Sequence, residues 1–577
     1  MVDVSNIKNI AQLAFNDFID ELVDLSKEIT PKSESYSIVR AADTHLKNLE
    51  QAYQSLTRFD EKKKIVSSGV EWYLDNYYVL LKAIELIRDD LPEEYFKKLP
   101  SIKTDPQFPR IYHIAHAILA YYQVELVQND INEFLNAFQS HISLEMSELW
   151  ALPLMLRLRL VEILSGTIFD LVDDEKSVSD SSKLAENRLS VDEIIARALR
   201  TLILFDRIDW KKFFESHAHV EKILQKDPMG VYQSMDFDTR DLYRKKIEFF
   251  AEHSNMDEKK IAQTAIDLAD QPNPSSERMC HVGYYLLGDG VQELQEKIAF
   301  KFDLTARLRR FFFENNTAFY LGSIFLLTAL VTLGLIWITK SYVIGAWQWA
   351  LIGIVSIIPA SSVAVNLLNS ILTTTLPPKT LPKMDFSRYI PKQFRTIVVI
   401  PALLTSCEEL EFLLKQLELH YLSNKDKNIG FVLLTDFGDS SKENTPEDQE
   451  CFDAAIAGIN ALNEIYHGDD GRRPFYLFHR LRQWNPKEDV WMGWERKRGK
   501  LADFNRFLIE GFLDSFDTII GDLDFMKRVR YVITLDSDTV LPRDSAKALI
   551  ATMAHPLNQP EFEEGSSKVV RGYTILQ

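Results

Sequence analysis

The longest uncharged stretch of the chain constrains its fold more than any other feature. Residues 319–339 contain no Asp, Glu, Lys or Arg, and residues 341–378 contain none either. At about 1.5 Å per helical residue, the first stretch spans roughly 30 Å, which is the thickness of the hydrocarbon core of a bilayer. We therefore predict two transmembrane helices, at about residues 319–339 and 344–372. The alternative, a pair of buried helices in a soluble core, is disfavoured because such helices rarely stay uncharged for so long.

Basic residues flank this predicted hairpin on both sides. They are Lys301, Arg307, Arg309 and Arg310 before it, and Lys379, Lys383, Arg388, Lys392 and Arg395 after it. The short connection between the spans contains only Lys340. The positive-inside rule then places both flanks in the cytoplasm, next to membrane lipid. Residues 301–378 are thus predicted to form a basic flank with two spans, and residues 379–395 a basic linker at the membrane surface.

Residues 1–300 are predicted to form a cytoplasmic, all-helical region. Apolar residues recur at three- and four-residue spacing in residues 70–87, 111–138 and 148–172, which is the period of an amphipathic helix. Proline and glycine fall between these segments, and runs of alternating polarity are few. Composition assigns no chemistry to this region.

Charge and cysteine content narrow the function classes. The chain carries a formal net charge of −18, whereas nucleic-acid-binding proteins need a concentrated basic surface, so we expect no nucleic-acid partner. The three cysteines, Cys280, Cys407 and Cys451, are widely separated and form no CxxC pair or disulfide framework. This usage is typical of a reducing, cytosolic environment.

Residues 396–577 follow an alternation of strand and helix. Apolar runs predict strands at residues 395–401, 430–439, 475–478 and 531–535, and amphipathic runs predict helices at residues 407–419, 446–466 and 500–513. Such repetition predicts a doubly wound α/β sheet, in which ligands bind outside the carboxyl ends of the strands. We predict that the fourth strand is buried.

An Asp-x-Asp pair follows the fourth strand, at Asp536 and Asp538. The same pattern occurs at residues 236–238 and 522–524, but those pairs lie among helices or before a strand. Asp436 follows the second strand at the same predicted edge. Position therefore selects Asp536, Asp538 and Asp436 as candidate ligand-binding residues, although aspartates at strand ends are also common as turn or cap residues.

These residue types suit a metal and a diphosphate. Carboxylates together with phosphate oxygens are the ligands that Mg²⁺ or Mn²⁺ prefers, and such a cation neutralises the diphosphate of a departing nucleotide. The basic run at residues 496–500 includes Arg498 and Lys500, and it precedes a predicted helix N-terminus, where phosphate binds readily. The alternatives for this run are a solvated face or, with Trp484, Trp491 and Trp494, a nucleic-acid patch. A Walker A motif is absent, so ATP hydrolysis has no support.

Two long strings of the chain are far more specific than an Asp-x-Asp pair: WNPKEDVWMGWERKRGKLADFNRFL (residues 484–508) and RYVITLDSDTVLPRDSAKALIATMAHPLNQP (residues 530–560). In these strings the chain resembles the cyclic β-1,2-glucan synthases, which are processive membrane glycosyltransferases of the GT-A fold. Further strings lie upstream, at residues 148–158, 227–245 and 281–290. The implied fold is a helical N-terminal region, a transmembrane hairpin and a GT-A-like domain over residues 396–577.

The resemblance implies an inverting glycosyltransferase of the bacterial inner membrane. Such an enzyme transfers glucose from UDP-glucose to a growing β-1,2-glucan acceptor, which is later closed into a ring, and it uses Mg²⁺ or Mn²⁺. The family pattern assigns Asp538 to the metal, Asp536 to the metal or the ribose, and Asp436 to the nucleotide. It places Lys500 near the donor phosphates.

Several family elements are expected beyond residue 577. They include the general base, the acceptor helix, further membrane spans and a phosphorylase-like domain. The last six residues, GYTILQ, read as the middle of a strand, so we expect the transferase domain to be incomplete and the C-terminal portion to be missing. We then expect this chain to bind donor and metal without polymerising glucose alone. The alternatives are another processive synthase of the cellulose or hyaluronan type, or a non-catalytic membrane scaffold or export component.

Overall fold

The computed structural model describes most of the chain. The described residues are 15–30, 38–60, 67–90, 92–174, 189–272, 276–301, 311, 315–339, 345–376, 378–468, 471–563 and 565–577. Arg307, Arg309, Arg310 and Lys340, which the predicted membrane orientation uses, lie outside them. That orientation stays a prediction.

The chain divides into two compact units. The first, which we term the helical unit, comprises Met1–Pro228, Tyr243–Gln271 and Gln292–Ala299. The second, which we term the α/β unit, comprises Met229–Leu242, Pro272–Val291 and Phe300–Gln577. The division does not follow the predicted boundary at residue 300, because two short segments from before that residue belong to the α/β unit.

Helices dominate the helical unit, as predicted. Those described are Phe15–Ser26, Ile38–Asp60, Ser68–Asp75, Tyr77–Asp90, Glu93–Phe96, Arg110–Tyr121, Gln128–Gln139, Met146–Asp174, Val191–Phe205, Trp210–His217, His219–Leu224, Glu258–Ala269 and Val291–Lys297, with Phe237–Glu252 running across the boundary between the two units. The prediction that the region is all-helical is wrong in one respect. A small antiparallel sheet joins Ile29–Thr30, Ser101–Ile102 and Asp105–Pro109. Its strands have two to five residues, which is too short for alternating polarity to be visible in the sequence.

Two helices of the α/β unit are long and apolar enough to cross a membrane, and they match the predicted spans. They are α1 (Asn316–Thr339) and α2 (Ala346–Thr375). None of the residues of α1 is buried, and large apolar side chains such as those of Phe325 and Ile358 are more than three-quarters exposed. Side chains of this kind avoid water, so exposure along two long helices favours contact with lipid.

Small residues form the contact between α1 and α2. The buried residues of α2 are Ser356, Ala360 and Ala364, which recur every four residues on one helix face. Small side chains at this spacing let two helix backbones approach closely, a common packing mode in membranes. The hydroxyl of Tyr320 donates a hydrogen bond of 3.0 Å to Oδ1 of Asn369. The polar end of the second span therefore contacts its partner helix.

A five-stranded sheet forms the centre of the α/β unit. Its elements in chain order are β1 (Thr396–Leu404), α3 (Cys407–Ser423), β2 (Ile429–Phe437), α4 (Pro446–Ile465), β3 (Phe475–Arg480), the short strands β4 (Gln483–Asn485) and β5 (Val490–Met492), α5 (Arg496–Glu510), β6 (Thr518–Ile520), α6 (Leu523–Met526), β7 (Tyr531–Thr534), α7 (Ser545–Ala554), β8 (Glu561–Phe562) and β9 (Val569–Arg571). The strand order is β7-β1-β2-β3-β6. All neighbours are parallel except β6, which pairs antiparallel with β3.

Both faces of this sheet are covered by helices. On one face, α3, α4 and α7 bury residues such as Leu413, Ile459 and Ile550 against β1 and β2. On the other face, Phe504 and Phe507 of α5 pack against the sheet. Because both faces are buried, the central strands read as continuous apolar runs, and this is why the sequence predicts them well.

Strand β1 continues past the proline at which it is predicted to end. Val399 accepts a hydrogen bond of 3.0 Å from the N–H of Leu535, so odd-numbered residues of β1 face β7. Pro401 faces the same side but lies beyond the last residue pair between these strands, Thr534 with Val399. The missing N–H of the proline therefore removes no sheet hydrogen bond.

Three sequence predictions for this unit are wrong in detail. Strand β7 lies at the edge of the described sheet and is only partly buried, because it has a neighbour on one side. Helix α5 begins at Arg496, not at Lys500. Residues 572–577 form no strand, because Gly572 adopts φ +72° and the N–H of Tyr573 bonds to the carbonyl of Asn558.

The two early segments of the α/β unit pack against its last helices and loops. Met235 forms a β-bridge with Met384, and Nε2 of His555 lies 3.1 Å from Sδ of Met235. Arg278 pairs with Glu561 at 3.1 Å. These segments overlap the strings at residues 227–245 and 281–290, so the upstream part of the resemblance belongs partly to this unit.

Candidate functional site

The candidate site lies at the carboxyl edge of the sheet, where the strand order reverses. The chain proceeds from β1 to β2 and β3 in one direction and then places β7 on the other side of β1. A crevice at such a switch point is the usual ligand position in open α/β sheets. The loop that follows β7 carries Asp536 and Asp538, as the sequence predicts.

The Asp536–Asp538 turn is open to solvent. The N–H of Thr539 donates to the carbonyl of Asp536 at 3.0 Å, which closes the turn, and both carboxylates are exposed. Nζ of Lys497, on α5, contacts Oδ1 of Asp536. The side chains of this pair are 53% and 60% exposed, so the contact is readily exchanged for water or a ligand.

Asp436 is held quite differently, inside a buried ion cluster. Nε and Nη2 of Arg480 donate to its two carboxylate oxygens at 2.9 and 3.0 Å, and Nζ of Lys500 lies 3.1 Å from Oδ2. Arg480 also donates to Asp503 at 2.7 Å. We call Asp436, Arg480, Lys500 and Asp503 the ion cluster. It contains two negative and two positive groups, and the Asp436 side chain has no exposed surface.

Lys500 connects the ion cluster to the central strand. Its Nζ donates to the carbonyl of Ala402 in β1 at 2.5 Å. Burial lowers the pKa of Lys500 from its ordinary value, and the charge of Asp436 opposes this shift. An ammonium group that is nearly buried requires such partners, because desolvation without them costs several kcal/mol, as an order of magnitude. Lys500 is therefore positioned rather than free.

Glycine makes room for the cluster. A Cβ at Gly493 would come within 2.8 Å of the Cβ of Asp436, closer than two such atoms approach in real structures. A Cβ at Gly499 would collide with the carbonyl of Trp494. The string MGWERKRGK thus contains two glycines because the backbone lies against Asp436 at Gly493 and against the carbonyl of Trp494 at Gly499.

The basic run 496–500 is the first turn of α5. Arg496 pairs with Asp439 at 2.9 Å, Lys497 with Asp536, and Lys500 with Asp436. Arg498 does not join them: its side chain is 86% exposed and lies 3.6 Å from Glu495. Of the five predicted site residues, the structure thus brings Lys500 to Asp436 and leaves Arg498 in solvent.

Sequence reasoning missed two contributors, Arg480 and Asp503, and it included Lys497 only as part of the basic run 496–500. Arg480 ends β3 at the same edge as Asp436, and the residues are register partners in adjacent strands. The rule that carboxyl ends of parallel strands meet could have found it. No sequence signal marks Asp503, because its role depends on which face of α5 meets the sheet.

A short β-ribbon carries two of the three tryptophans in this region, and Trp494 follows it. Strands β4 and β5 pair Trp484 with Trp491, whose ring centroids are 5.8 Å apart. Trp491 also exchanges two backbone hydrogen bonds of 2.9 Å with Ser440. Trp484 and Trp494 are 42% and 47% exposed. Partly exposed indole faces of this kind offer stacking surfaces as well as packing.

The carboxylates at this edge of the sheet fit a cation that takes most of its ligands from water and from a substrate phosphate. Among the described residues, no group of three or more His, Cys, Asp and Glu side chains is placed to hold a metal. Asp536 and Asp538 are both exposed at the switch point. Mg²⁺ characteristically uses one or two carboxylates together with waters and substrate phosphates, so a pair suffices for a metal that arrives with a nucleotide diphosphate.

The described fold is that of an α/β protein with two candidate membrane-spanning helices. No family model matches the chain. The sequence is 28% identical, over 606 aligned positions, to the cyclic beta-(1,2)-glucan synthase NdvB of Rhizobium meliloti (strain 1021). The alignment covers 92% of this chain and 21% of the relative, so the chain spans about a fifth of the length of that protein. The relation to cyclic β-1,2-glucan synthases that the long strings indicate is thereby confirmed.

Proposed function

We propose that the chain is the donor-binding portion of a membrane glucan synthase, a glycosyltransferase of GT-A-like fold. The whole protein would transfer glucose from UDP-glucose to a growing β-1,2-glucan, with inversion. The observation that carries this proposal is the exposed Asp536–Asp538 turn at the switch point of the sheet, in a chain similar to a glucan synthase along 92% of its length.

We assign the exposed turn to the metal and the nucleotide. Asp538 would bind Mg²⁺ or Mn²⁺, and Asp536 would bind the same ion or the ribose. The ion supplies positive charge to the diphosphate as it leaves the sugar. Lys497, which contacts Asp536, would move to a phosphate oxygen when the carboxylate takes up the metal, since its side chain is half exposed and free to rearrange.

We assign the ion cluster to positioning. Both oxygens of Asp436 already accept hydrogen bonds from Arg480, and Lys500 lies against one of them. Asp436 would therefore orient Lys500 and the start of α5 toward the donor, and would contact the nucleotide only after a rearrangement. The family pattern places Lys500 near the phosphates. Its fixed position next to β1 supports an electrostatic role there.

We assign the partly exposed tryptophans to the sugar. Indole rings stack on the apolar faces of pyranose rings. Trp494 lies beside the ion cluster, since its carbonyl accepts a hydrogen bond of 3.1 Å from Arg480, and Trp484 is partly exposed on the preceding β-ribbon. The glucan acceptor or the glucose of the donor is the ligand that this surface fits.

The proposed location is the cytoplasmic side of the bacterial inner membrane.

Calorimetric titration of UDP with Mn²⁺ tests the metal assignment. The protein in detergent should bind UDP in the presence of Mn²⁺, and Asp538→Ala should weaken binding at least about tenfold, the loss of about 1.4 kcal/mol. Asp524→Ala is the matched control, because Asp524 belongs to another Asp-x-Asp pair and is exposed on α6. Equal UDP affinity in wild type and Asp538→Ala would overturn the assignment. Absence of any UDP affinity would favour a scaffold or export component.

A panel of UDP-sugars tests the substrate. Preference for UDP-glucose supports the glucan synthase, whereas preference for UDP-N-acetylglucosamine refutes it in favour of another polysaccharide synthase of the same fold.

A further inference from the structure

Two cysteines that are 44 residues apart in the chain lie side by side. Cys407 is the first residue of α3 and is exposed, whereas Cys451 lies in the first half of α4 and is buried. Their sulfur atoms are 2.9 Å apart. The sequence spacing does not indicate this contact, and neither thiol belongs to the candidate donor site.

The packing of α3 against α4 holds the two thiols together. Both helices follow parallel strands and therefore start at the same edge of the sheet. Leu414 of α3 and Gly458 of α4 each lie seven residues, about two helical turns, beyond the cysteine of their helix. A Cβ at Gly458 would collide with Cδ1 of Leu414, so glycine permits a close approach of the helices here. The two helices therefore contact each other at the cysteines and again two turns further along, so the packing of the helices determines the contact between the thiols.

We propose that Cys407 and Cys451 are a site of reversible disulfide formation by exchange with a low-molecular-weight disulfide of the glutathione type. One thiolate sulfur attacks the oxidant and releases one thiol. The second cysteine then attacks the mixed disulfide and releases the other. The balance is two protein thiols and one oxidant disulfide giving one protein disulfide and two small thiols, which carry away both protons.

Exposure determines the order of the two steps. Cys407 is open to solvent, so a dissolved disulfide reaches it first. Burial and the neighbouring Cys407 raise the pKa of Cys451 to about 11, which keeps it protonated and unreactive toward outside reagents. Only a mixed disulfide on Cys407 comes within its reach. A disulfide bond is about 2.05 Å long, so the sulfurs need to approach by less than about 1 Å.

The bond would join the first residue of α3 to the second turn of α4, near the carboxyl edge of the sheet. The loop between β2 and α4 includes Asp439, which pairs with Arg496 of α5 at 2.9 Å. Oxidation would therefore restrain a segment that borders the candidate site. It would also close a loop of 44 residues, which raises the thermal midpoint of the α/β unit by about 5–10 °C.

The test uses the whole chain in detergent with Cys280→Ser, which leaves the pair as the only thiols. After incubation with oxidised glutathione, the protein is quenched with iodoacetamide in denaturant, which makes Cys451 accessible. Mass spectrometry should then show a loss of two hydrogens, no alkylation and a linked peptide pair that contains Cys407 and Cys451. Dithiothreitol should restore both alkylation sites.

Two matched variants in the same background separate the steps. Cys451→Ser should retain one glutathione on Cys407, and Cys407→Ser should leave Cys451 as a free thiol. The proposal is overturned if the parent protein retains glutathione on Cys407 without the linked peptides, or if both thiols stay alkylatable. These outcomes are independent of UDP binding, so they do not depend on the proposed function.

Discussion

The ion cluster and the Asp536–Asp538 turn lie at the same edge of the same sheet, yet they hold their carboxylates in opposite ways. Asp436 is fully buried and both its oxygens are bonded to Arg480. Asp536 is 60% exposed and has one exposed lysine beside it. The comparison shows that a strand-end aspartate is not by itself a ligand site. Whether its carboxylate can bind a ligand depends on its burial and on the protein groups that it already contacts.

Energetics explains the difference. A buried carboxylate is tolerated only with charged, hydrogen-bonded partners, and removal of one partner leaves an uncompensated charge. An exposed ion pair contributes little, because water screens it and holding two long side chains costs entropy. The fold therefore requires the ion cluster to stay intact, whereas Asp536 can exchange Lys497 for water or a cation.

The largest effect on stability is expected from a substitution in the buried ion cluster. Asp436→Asn keeps the side-chain volume but leaves Arg480 and Lys500 without their carboxylate, so we expect the α/β unit to lose about 3–5 kcal/mol of unfolding free energy. Denaturant unfolding followed by tryptophan fluorescence measures this. Asp439→Asn is the control, because that side chain is partly exposed and bonds to Arg496. A loss of less than about 1 kcal/mol for Asp436→Asn would contradict a structural role for the cluster.

A second, intermediate effect concerns pH. Burial lowers the pKa of His479, the register partner of Thr435 in β2, to about 4. The unfolded chain has the ordinary value of about 6.5 and binds the proton first, so the stability contribution is present above pH 6.5 and is lost as pH falls toward 4. Between pH 7.5 and 5 the loss is about 2 kcal/mol.

The variant His479→Phe isolates this contribution, because His420 and His555 also have lowered pKa values. Phenylalanine retains a ring against Phe437 and Phe452 but does not titrate. Wild type should lose about 2 kcal/mol more than the variant over this pH range. Parallel stability curves would show that protonation of His479 does not oppose folding.

The smallest effect is expected on the exposed side. Lys497→Ala removes the partner of Asp536, yet we expect a change in unfolding free energy below about 1 kcal/mol, reduced further by salt. Lys500→Ala is the matched comparison on the same helix, where the loss should be several times larger because Lys500 is buried against Asp436. Equal losses for the two lysines would remove the distinction between buried and exposed groups.

Much of the fold was predictable, for reasons visible in particular residues. The uncharged spans predicted α1 and α2, and the apolar runs predicted the central strands, because parallel strands are buried on both faces. The edge strand β7 was predicted as buried and is only partly so, because a short apolar run does not reveal how many neighbours a strand has. The start of α5 was misplaced because its first turn is basic and contains Gly499, which reads as a loop.

The sequence alone selected Asp536 and Asp538 as candidate nucleotide ligands: their position after a predicted strand and the long strings around them distinguish this Asp-x-Asp pair from two others in the chain. Only the tertiary structure decided what each charged group does. It closed Asp436 inside a cluster with Arg480, left Asp538 in solvent, and brought Cys407 to Cys451 across 44 residues. The physical reason is that local patterns record periodicity and residue type, whereas burial and partner choice depend on which helix faces meet the sheet.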